Sequence, residues 1–291
     1  MKKRSLSLLL TAAMVASLTA CGGSNTATTT AATTAADSTE AETVKDSAAV
    51  PETVEPAPTG GTFTIGFDQD FPPMGFVGDN GEYTGFDIEA AAEVAKRLGM
   101  EFVPQPIAWD SKDMELTSGT IDCVWNGFTI NGREDAYTWS DPYMNNEQVF
   151  VVGKDSGITD WDGLNGKIIE VQADSSAEAA LADMTDLTST FATYQTTPDY
   201  NTAFMDLEMG AVDAIAMDTI VAAYQMKQRG DDKFVILDKA ISNEEYGVGF
   251  KLGNTELRDK VQGALEDMAK DGTLTAISEK WFDKDITTIG K

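Results

Sequence analysis

Short apolar runs alternate with segments of helical periodicity from residue 61 to the end of the chain. The runs Thr62 to Phe67 and Glu101 to Ile107 are typical of strands. Between them the spacing predicts a helix that is capped by Asp87 and ends at Gly99. Its apolar face consists of Ile88, Ala91, Ala92, Ala95 and Leu98. This alternation predicts an α/β protein with largely parallel sheets.

A nine-residue pattern occurs twice, as LTSGTIDCV at 116–124 and as LEMGAVDAI at 207–215. Each copy predicts a helix end, a glycine cap and a buried strand, which suggests two lobes of similar build. Chance similarity is the alternative, because glycine is common between helix and strand. Ligands of open α/β sheets bind beyond the carboxyl ends of strands. We therefore expect a ligand near Asn126–Gly127 and Met217–Asp218.

A further helix is predicted near the C-terminus, from Asn254 or Thr255 to a cap at Gly272. Its apolar stripe is Leu257, Val261, Leu265 and Met268.

The N-terminal residues indicate export. A basic start and the apolar run from Leu6 to Leu18 predict a signal peptide over residues 1–20. The segment Leu18-Thr19-Ala20-Cys21 resembles the lipobox of bacterial lipoproteins, in which Cys21 would carry the lipid that contacts the membrane. An ordinary signal peptide with an incidental cysteine is the alternative. Residues 21–60 contain no aromatic residue, leucine or isoleucine and predict a disordered tether.

Composition excludes several classes of function. The net charge of -27 argues against nucleic acid as a partner. The chain has no histidine, which removes nucleophile pairs that contain histidine and the usual zinc ligands. We expect no metal, cofactor or catalytic residue. With Cys21 acylated, Cys123 has no partner for a disulfide.

Several motifs in the same order resemble the polar amino acid binding proteins of ABC importers. They are Gly66-Phe67-Asp68, Phe71-Pro72-Pro73, Gly85-Phe86-Asp87-Ile88, Gly119-Thr120-Ile121-Asp122 and Lys280-Trp281-Phe282. The resemblance implies a monomeric, two-lobed type II periplasmic-binding-protein-like fold, with each lobe a mostly parallel sheet flanked by helices. It places lobe 1 at 61–151 and 248–291 and lobe 2 at 152–247, with crossings near Val151-Val152 and Tyr246-Gly247. It also implies that the protein binds a free polar amino acid between the lobes and delivers it to a membrane permease.

A free amino acid requires a partner for its α-carboxylate and one for its α-ammonium group. Arg133 is the natural carboxylate clamp, because a guanidinium can donate two parallel hydrogen bonds. A surface arginine paired with Glu134 or Asp135 is the alternative. The loop from Thr129 to Arg133 is one residue shorter than is usual in the family.

The turn at Ser175 and Ser176 is a second candidate for the carboxylate, although both serines could be helix caps only. The resemblance implies that Gly127, Thr129 and Asp218 receive the ammonium group. Asp218 as a simple helix cap is the competing interpretation.

The resemblance also implies a subsite for the ligand's side chain. Its candidates are Asp68, Phe71, Trp109, Gln172 and Met217. Phe71 and Trp109 could instead be core aromatics. Two rings and a carboxylate favour lysine, arginine, glutamine or cystine.

The rival functions are a dehydratase-like enzyme of the same fold and an amino acid sensor. An enzyme would need a general acid or base in the cleft, for which Asp68, Asp218, Glu244 and Glu245 are candidates.

Overall fold

The computed structural model describes residues 59–291. The predicted signal peptide, Cys21 and all of the predicted tether up to residue 58 lie outside the described residues. The described chain forms two lobes, each built on a β-sheet with helices packed against it. Within residues 59–291, no helix is both long and apolar enough to cross a membrane.

The strands are β1 (Thr62–Phe67), β2 (Asp70–Phe71), β3 (Gly75–Val77), β4 (Tyr83–Thr84), β5 (Glu101–Pro106), β6 (Cys123–Val124), β7 (Tyr137–Trp139), β8 (Met144–Gly153), β9 (Ile168–Gln172), β10 (Thr193–Thr197), β11 (Ala214–Asp218), β12 (Phe234–Ile236), β13 (Ser242–Tyr246) and β14 (Gly249–Lys251). The helices are α1 (Phe86–Arg97), α2 (Lys112–Ser118), α3 (Ser176–Ala182), α4 (Thr185–Thr188), α5 (Tyr200–Met209), α6 (Thr219–Arg229), α7 (Thr255–Asp271) and α8 (Thr273–Phe282).

The sheet of the first lobe has the strand order β5-β1-β6-β14-β7. β1 is parallel to β5 and β6, whereas β14 is antiparallel to β6 and β7. The second lobe has the order β10-β9-β11-β8-β12, and β13 also pairs with β8. β9 is parallel to its two neighbours, and β8 is antiparallel to all three of its partners. The expected two-lobed α/β fold is confirmed. Both sheets are mixed, because the strands that cross between the lobes add antiparallel pairs to a parallel half of each sheet.

The two segments that connect the lobes lie side by side. Along its whole length β8 pairs within the second sheet, from Met144 opposite Tyr246 to Gly153 opposite Phe234. By sheet membership the second lobe therefore begins at Met144, earlier than the expected crossing near Val151–Val152. The chain leaves the second sheet after Tyr246 and joins the first at Gly249. The connection is thus an antiparallel ribbon of β8 and β13.

The repeated pattern has the same structure in both lobes. Gly119 and Gly210 end α2 and α5 in the left-handed conformation, with φ of 81° and 70°. Asp122 then accepts a hydrogen bond from the backbone N–H of Thr64 (2.8 Å), and Asp213 accepts one from that of Ile168 (2.9 Å). Each aspartate thus fastens a β-strand to its neighbour, so the similarity reflects equivalent structure.

The predicted helices agree with the structure except at one cap. α1 ends just before Gly99, and α7 begins after Asn254 and ends at Gly272. Asp87 does not cap α1, since Gly85 occupies that position and the Asp87 side chain is fully buried. Its carboxylate contributes to the site described below.

Candidate functional site

Most of the predicted site residues line one narrow, nearly filled cavity between the lobes. The first lobe contributes Phe71, Trp109, Gly127, Thr129 and Arg133. The second lobe contributes Gln172, Ser175, Ser176 and Asp218. These residues lie at or beyond strand ends in both sheets, where the repeated pattern predicts a ligand.

Three other predicted residues do not line this cavity. Asp68 lies beside it in an adjoining pocket and accepts a hydrogen bond from Gln172 Nε2 across the cleft (2.7 Å). Asn126 is buried and its Oδ1 accepts from the backbone N–H of Asp68 (3.1 Å), so it positions that residue. Met217 is fully buried in the largest apolar cluster.

Asp218 is the buried acid of the cavity. Its Oδ1 accepts hydrogen bonds from Asn146 Nδ2 (2.8 Å), Gln148 Nε2 (2.7 Å) and the Tyr246 hydroxyl (2.6 Å). Burial, followed by the nearby charge of Glu244, raises the pKa of Asp218 to about 8. Its side chain makes no cap hydrogen bond to α6, although Asp218 precedes that helix. The competing interpretation as a side-chain cap is therefore wrong.

Glu244 lies next to Asp218, because β13 pairs with β8. Its Oε1 accepts from the same two amides, Asn146 Nδ2 (2.6 Å) and Gln148 Nε2 (2.7 Å). Sequence reasoning treated Glu244 only as a possible catalytic acid and missed Asn146, Gln148 and Tyr246. The run Asn145-Asn146-Glu147-Gln148 is uniformly polar, so no signal in the sequence indicates that Asn146 and Gln148 are buried while their neighbours are exposed.

Arg133 is half-buried and faces the cavity without a carboxylate partner. Its Nη1 donates to the Thr129 carbonyl (3.3 Å), and its Nη2 reaches across the cleft to the Asp174 carbonyl (3.4 Å). The guanidinium lies 5.3 Å from the centre of the Phe128 ring. Among the described residues it forms no ion pair with Glu134 or Asp135, so the alternative of a paired surface arginine is wrong.

Gly127 exposes its backbone to the cavity because it has no side chain. Its φ is +57°, and a Cβ there would lie 2.9 Å from Phe71 and 3.2 Å from Tyr246. The backbone N–H of Gly127 donates to Asp87 Oδ2 (2.7 Å), which also accepts from the Tyr143 hydroxyl (3.0 Å). Burial raises the pKa of Asp87 to about 7. Asp87 thus fixes the Gly127 turn, a role that sequence reasoning missed.

The serines of the second lobe have different roles. Ser175 caps α3, and its hydroxyl accepts from the Glu178 N–H (3.1 Å). The Ser176 hydroxyl accepts from Gln148 Nε2 (2.9 Å) and from the Thr129 hydroxyl of the first lobe (3.2 Å). Ser176 is therefore the serine whose hydroxyl is not committed to capping.

One wall of the cavity is aromatic. Phe71 packs against Tyr200 of the second lobe with ring centres 6.0 Å apart. Trp109 packs edge-on against Phe128 at 5.5 Å. Lys112 Nζ lies 5.0 Å from the centre of the Trp109 ring and forms an ion pair with Asp174 of the second lobe. Contacts between lobes thus surround the cavity, and the lobes are closed.

Among the described residues, the cavity combines a guanidinium without an acidic partner, the buried carboxylate of Asp218 and aromatic surface. The guanidinium of Arg133 and the carboxylate of Asp218 are not paired with each other. They are therefore complementary to the carboxylate and the ammonium group of a small zwitterion. Within residues 59–291, no group of three or more acidic or cysteine side chains could hold a metal ion.

Comparisons with known proteins agree with this architecture. The L-cystine-binding protein TcyJ of Escherichia coli (strain K12) is 36% identical over 230 residues, which cover 78% of this chain and 85% of that protein. A histidine-bound substrate-binding protein of an ABC uptake transporter from Streptococcus pneumoniae matches with a TM-score of 0.75 at 36% identity, covering 78% of this chain and 94% of that one. An ancestral arginine-binding protein bound to arginine matches with a TM-score of 0.71 at 36% identity, covering 77% and 99%. The family described as bacterial extracellular solute-binding proteins, family 3, matches residues 63–284, and this chain belongs to that family.

Proposed function

We propose that the protein is the extracytoplasmic binding component of an ABC importer, which captures a free polar amino acid and delivers it to a membrane permease. The observation that carries this proposal is the cavity between the lobes, where the Arg133 guanidinium lacks an acid and the buried Asp218 carboxylate lacks a base. An amino acid supplies both missing charges.

Each end of the ligand's zwitterion has a partner in this arrangement. Arg133 binds the α-carboxylate, and the Ser176 hydroxyl of the opposite lobe, which donates to Glu244 Oε1 (3.5 Å), is a neighbouring polar group. Asp218 binds the α-ammonium group, with Thr129 and the backbone at Gly127 as neighbouring polar groups. Because these partners belong to different lobes, binding both charges holds the lobes together.

The side chain of the ligand extends along Phe71 and Trp109 towards Asp68. The adjoining pocket beyond Trp109 contains four carboxylates, those of Asp68, Asp70, Asp110 and Asp199. Burial raises the pKa of Asp68 to about 6, and it remains mostly ionised at neutral pH. An acidic pocket favours a long side chain with a polar or cationic end, such as that of lysine, arginine, glutamine or cystine. The cystine-binding and arginine-binding relatives support this ligand class.

Binding without chemical conversion is the better interpretation of the buried acids. A dehydratase-like enzyme would need an acid free to transfer a proton to its substrate. Asp218 already accepts three hydrogen bonds, and Asp68 accepts one from Gln172 and one from the backbone of Asp70. These hydrogen bonds fix the positions of both acids in the cleft. A sensor would bind the same ligand, and association with a permease would distinguish transport from sensing.

The test is a thermal-shift screen of the purified protein against the free amino acids and cystine, after unfolding and refolding to remove carried-over ligand. We expect stabilisation by at least one polar amino acid, recovered unchanged after incubation. A converted product would favour the enzyme. No stabilisation by any amino acid would overturn the proposal.

Membrane attachment through Cys21 and a monomeric state belong to the same proposal. Palmitate labelling of the parent and of Cys21→Ser tests the anchor, because only the parent should incorporate lipid. The lipoprotein assignment is overturned if the variant incorporates as much lipid. Gel filtration tests the monomer.

A further inference from the structure

At the ammonium end of the cavity, the lining carboxylate of Asp218 lies beside a second buried carboxylate, that of Glu244, whereas one carboxylate would balance the charge of an α-ammonium group. Asn146 Nδ2 contacts both Asp218 Oδ1 (2.8 Å) and Glu244 Oε1 (2.6 Å). Gln148 Nε2 also contacts both oxygens, each at 2.7 Å. Because single nitrogen atoms contact both acids, the carboxylates lie close enough for strong mutual repulsion if both are ionised.

No cation compensates this pair. Among residues 59–291, neither carboxylate forms an ion pair with a lysine or arginine. Their side chains are nearly inaccessible to solvent, with 4% of Asp218 and 5% of Glu244 exposed. Two adjacent buried charges of the same sign are costly without a counter-ion. One proton on the pair removes that cost.

The other groups around the pair do not replace that proton. Tyr246 on β13 and Tyr200 on α5 face Asp218, and burial keeps the pKa of both phenols well above the usual value. Both tyrosines therefore stay protonated at neutral pH. Arg133 lines the same cavity but donates to backbone carbonyls. Gln148 Oε1 is buried without a hydrogen-bond partner, which leaves an acceptor beside the pair.

We propose that Asp218 and Glu244 share one proton in the empty site, and that the ligand's α-ammonium group replaces it. This inference rests on the proposed function. The ammonium group brings one positive charge to the pair, and one proton leaves to solvent, so the charge within the site is conserved. Glu244 thereby links binding to pH, and affinity increases with pH until the empty pair has lost its proton. The raised pKa of Asp218 supports this direction.

The test is calorimetric titration of the refolded protein with L-arginine, or with L-cystine if arginine does not bind. Titrations at pH 7 in two buffers with different ionisation enthalpies give the number of protons exchanged. We expect release of close to one proton per ligand in the parent. Between pH 7 and pH 6 the affinity should fall by up to about tenfold.

Glu244→Gln removes the second acid and keeps the shape of the side chain. Because burial alone still raises the pKa of Asp218, this variant should release clearly fewer protons than the parent, but not none. Glu245→Gln is the matched control, because Glu245 is the exposed neighbour on the same strand. It should release as many protons as the parent. Equal heats in both buffers for the parent, or equal proton release by Glu244→Gln, would overturn the inference while leaving amino acid binding intact. The parent's proton count decides the matter if Glu244→Gln does not fold. Absence of binding by either amino acid would overturn the inference together with its ligand class.

Discussion

At the scale of single residues, the cavity is defined by two opposite charges on different lobes. Asp218→Asn preserves shape but removes the counter-charge of the ammonium group. We expect the variant to fold and to lose most of the ligand-induced stabilisation, which is about 2.7 kcal/mol at a hundredfold excess of ligand over Kd. Arg133→Ala should behave alike. Thermal unfolding with and without ligand measures both, and an undiminished ligand-induced shift in either variant would contradict the assigned role.

Gly127 offers a second test at this scale, because its missing side chain lets Phe71 and Tyr246 pack against the turn that lines the cavity. Gly127→Ala would place a Cβ 2.9 Å from Phe71 at a φ of +57°. We expect at least a tenfold loss of affinity together with a stability cost of about 1–2 kcal/mol for the left-handed backbone. Gly132→Ala is the control, since Gly132 has a φ of +80° with nothing within 4 Å of the added Cβ. It should share the cost in stability and retain most of the affinity.

Asp68 tests the charge of the ligand's side chain. Its carboxylate contacts Gln172 across the cleft, and the acidic pocket continues beyond it. Asp68→Asn should weaken a cationic ligand by about ten- to a hundredfold, since a hydrogen bond to a charged group contributes about 1.5–3 kcal/mol. A neutral ligand such as glutamine should lose much less. Calorimetry with both ligands decides, and equal losses would remove Asp68 from the side-chain subsite.

Charged residues that directly follow a predicted strand could be proposed as site residues from the sequence. Residues that reach the site only through the pairing of distant strands could not. Arg133 and Asp218 follow strand ends and carry the charges that a zwitterion requires. Glu244 lies beside Asp218 only because β13 pairs with β8 in one register, and no local pattern specifies that register. Asp87 resembled a helix cap, and only the folded structure reveals that its carboxylate reaches Gly127 and Tyr143.

At the scale of elements, the repeated helix-glycine-strand pattern predicted two similar lobes because each copy is a local unit. Strand direction was less predictable. The direction of a strand in its sheet depends on the connection that precedes it. β8 and β14 enter their sheets from the connections between the lobes, and both pair antiparallel to their neighbours. Alternation of helices and strands therefore indicated parallel sheets that proved to be mixed. The early start of β8 has the same cause, since its first residues pair with β13 of the connection.

Helix α2 also contributes a contact that closes the cleft. Lys112, of which 2% is exposed, forms an ion pair with Asp174 of the second lobe, whose side chain is 53% exposed. Lys112→Met keeps the aliphatic packing against Trp109 and leaves Asp174 in water, so the fold should tolerate the change. We expect ligand dissociation to become up to about fivefold faster, since such an ion pair contributes at most about 1 kcal/mol. Stopped-flow fluorescence measures this rate, with Lys154→Met in an exposed turn as the control. An unchanged rate would show that the ion pair does not contribute to closure.

At the scale of the whole molecule, closure should depend on the ligand. The closed lobes are joined by few direct polar contacts near the cavity, among them Thr129 to Ser176 and Asp68 to Gln172. In the proposed binding mode neither lobe alone binds both charges of the ligand, so ligand binding should shift the population towards the closed form. Solution scattering of the refolded protein should show a smaller radius of gyration after the amino acid is added. The same radius in both states would contradict ligand-driven closure.

The fold itself should respond to pH through its buried acids. Burial raises the pKa of Asp87 from 3.8 to about 7 and that of Asp218 from 3.8 to about 8. At pH values between 3.8 and the raised pKa of each group, the folded state binds more protons than the unfolded state. The free energy of unfolding therefore falls as pH rises through this range. For Asp87 alone the shift corresponds to on the order of 4 kcal/mol. Asp271, whose pKa is lowered to about 2, acts in the opposite direction but has completed its titration below pH 5.

We therefore expect the empty protein to melt about 5–10 °C lower at pH 8 than at pH 5. Asp87→Asn should flatten this dependence, since the variant loses the buried group that titrates. Added amino acid should flatten it as well, because its ammonium group compensates Asp218 at high pH. Scanning calorimetry from pH 5 to 8 provides the measurement. A melting temperature that increases with pH would mean that these carboxylates are ionised in the folded protein and stabilised by their hydrogen bonds alone.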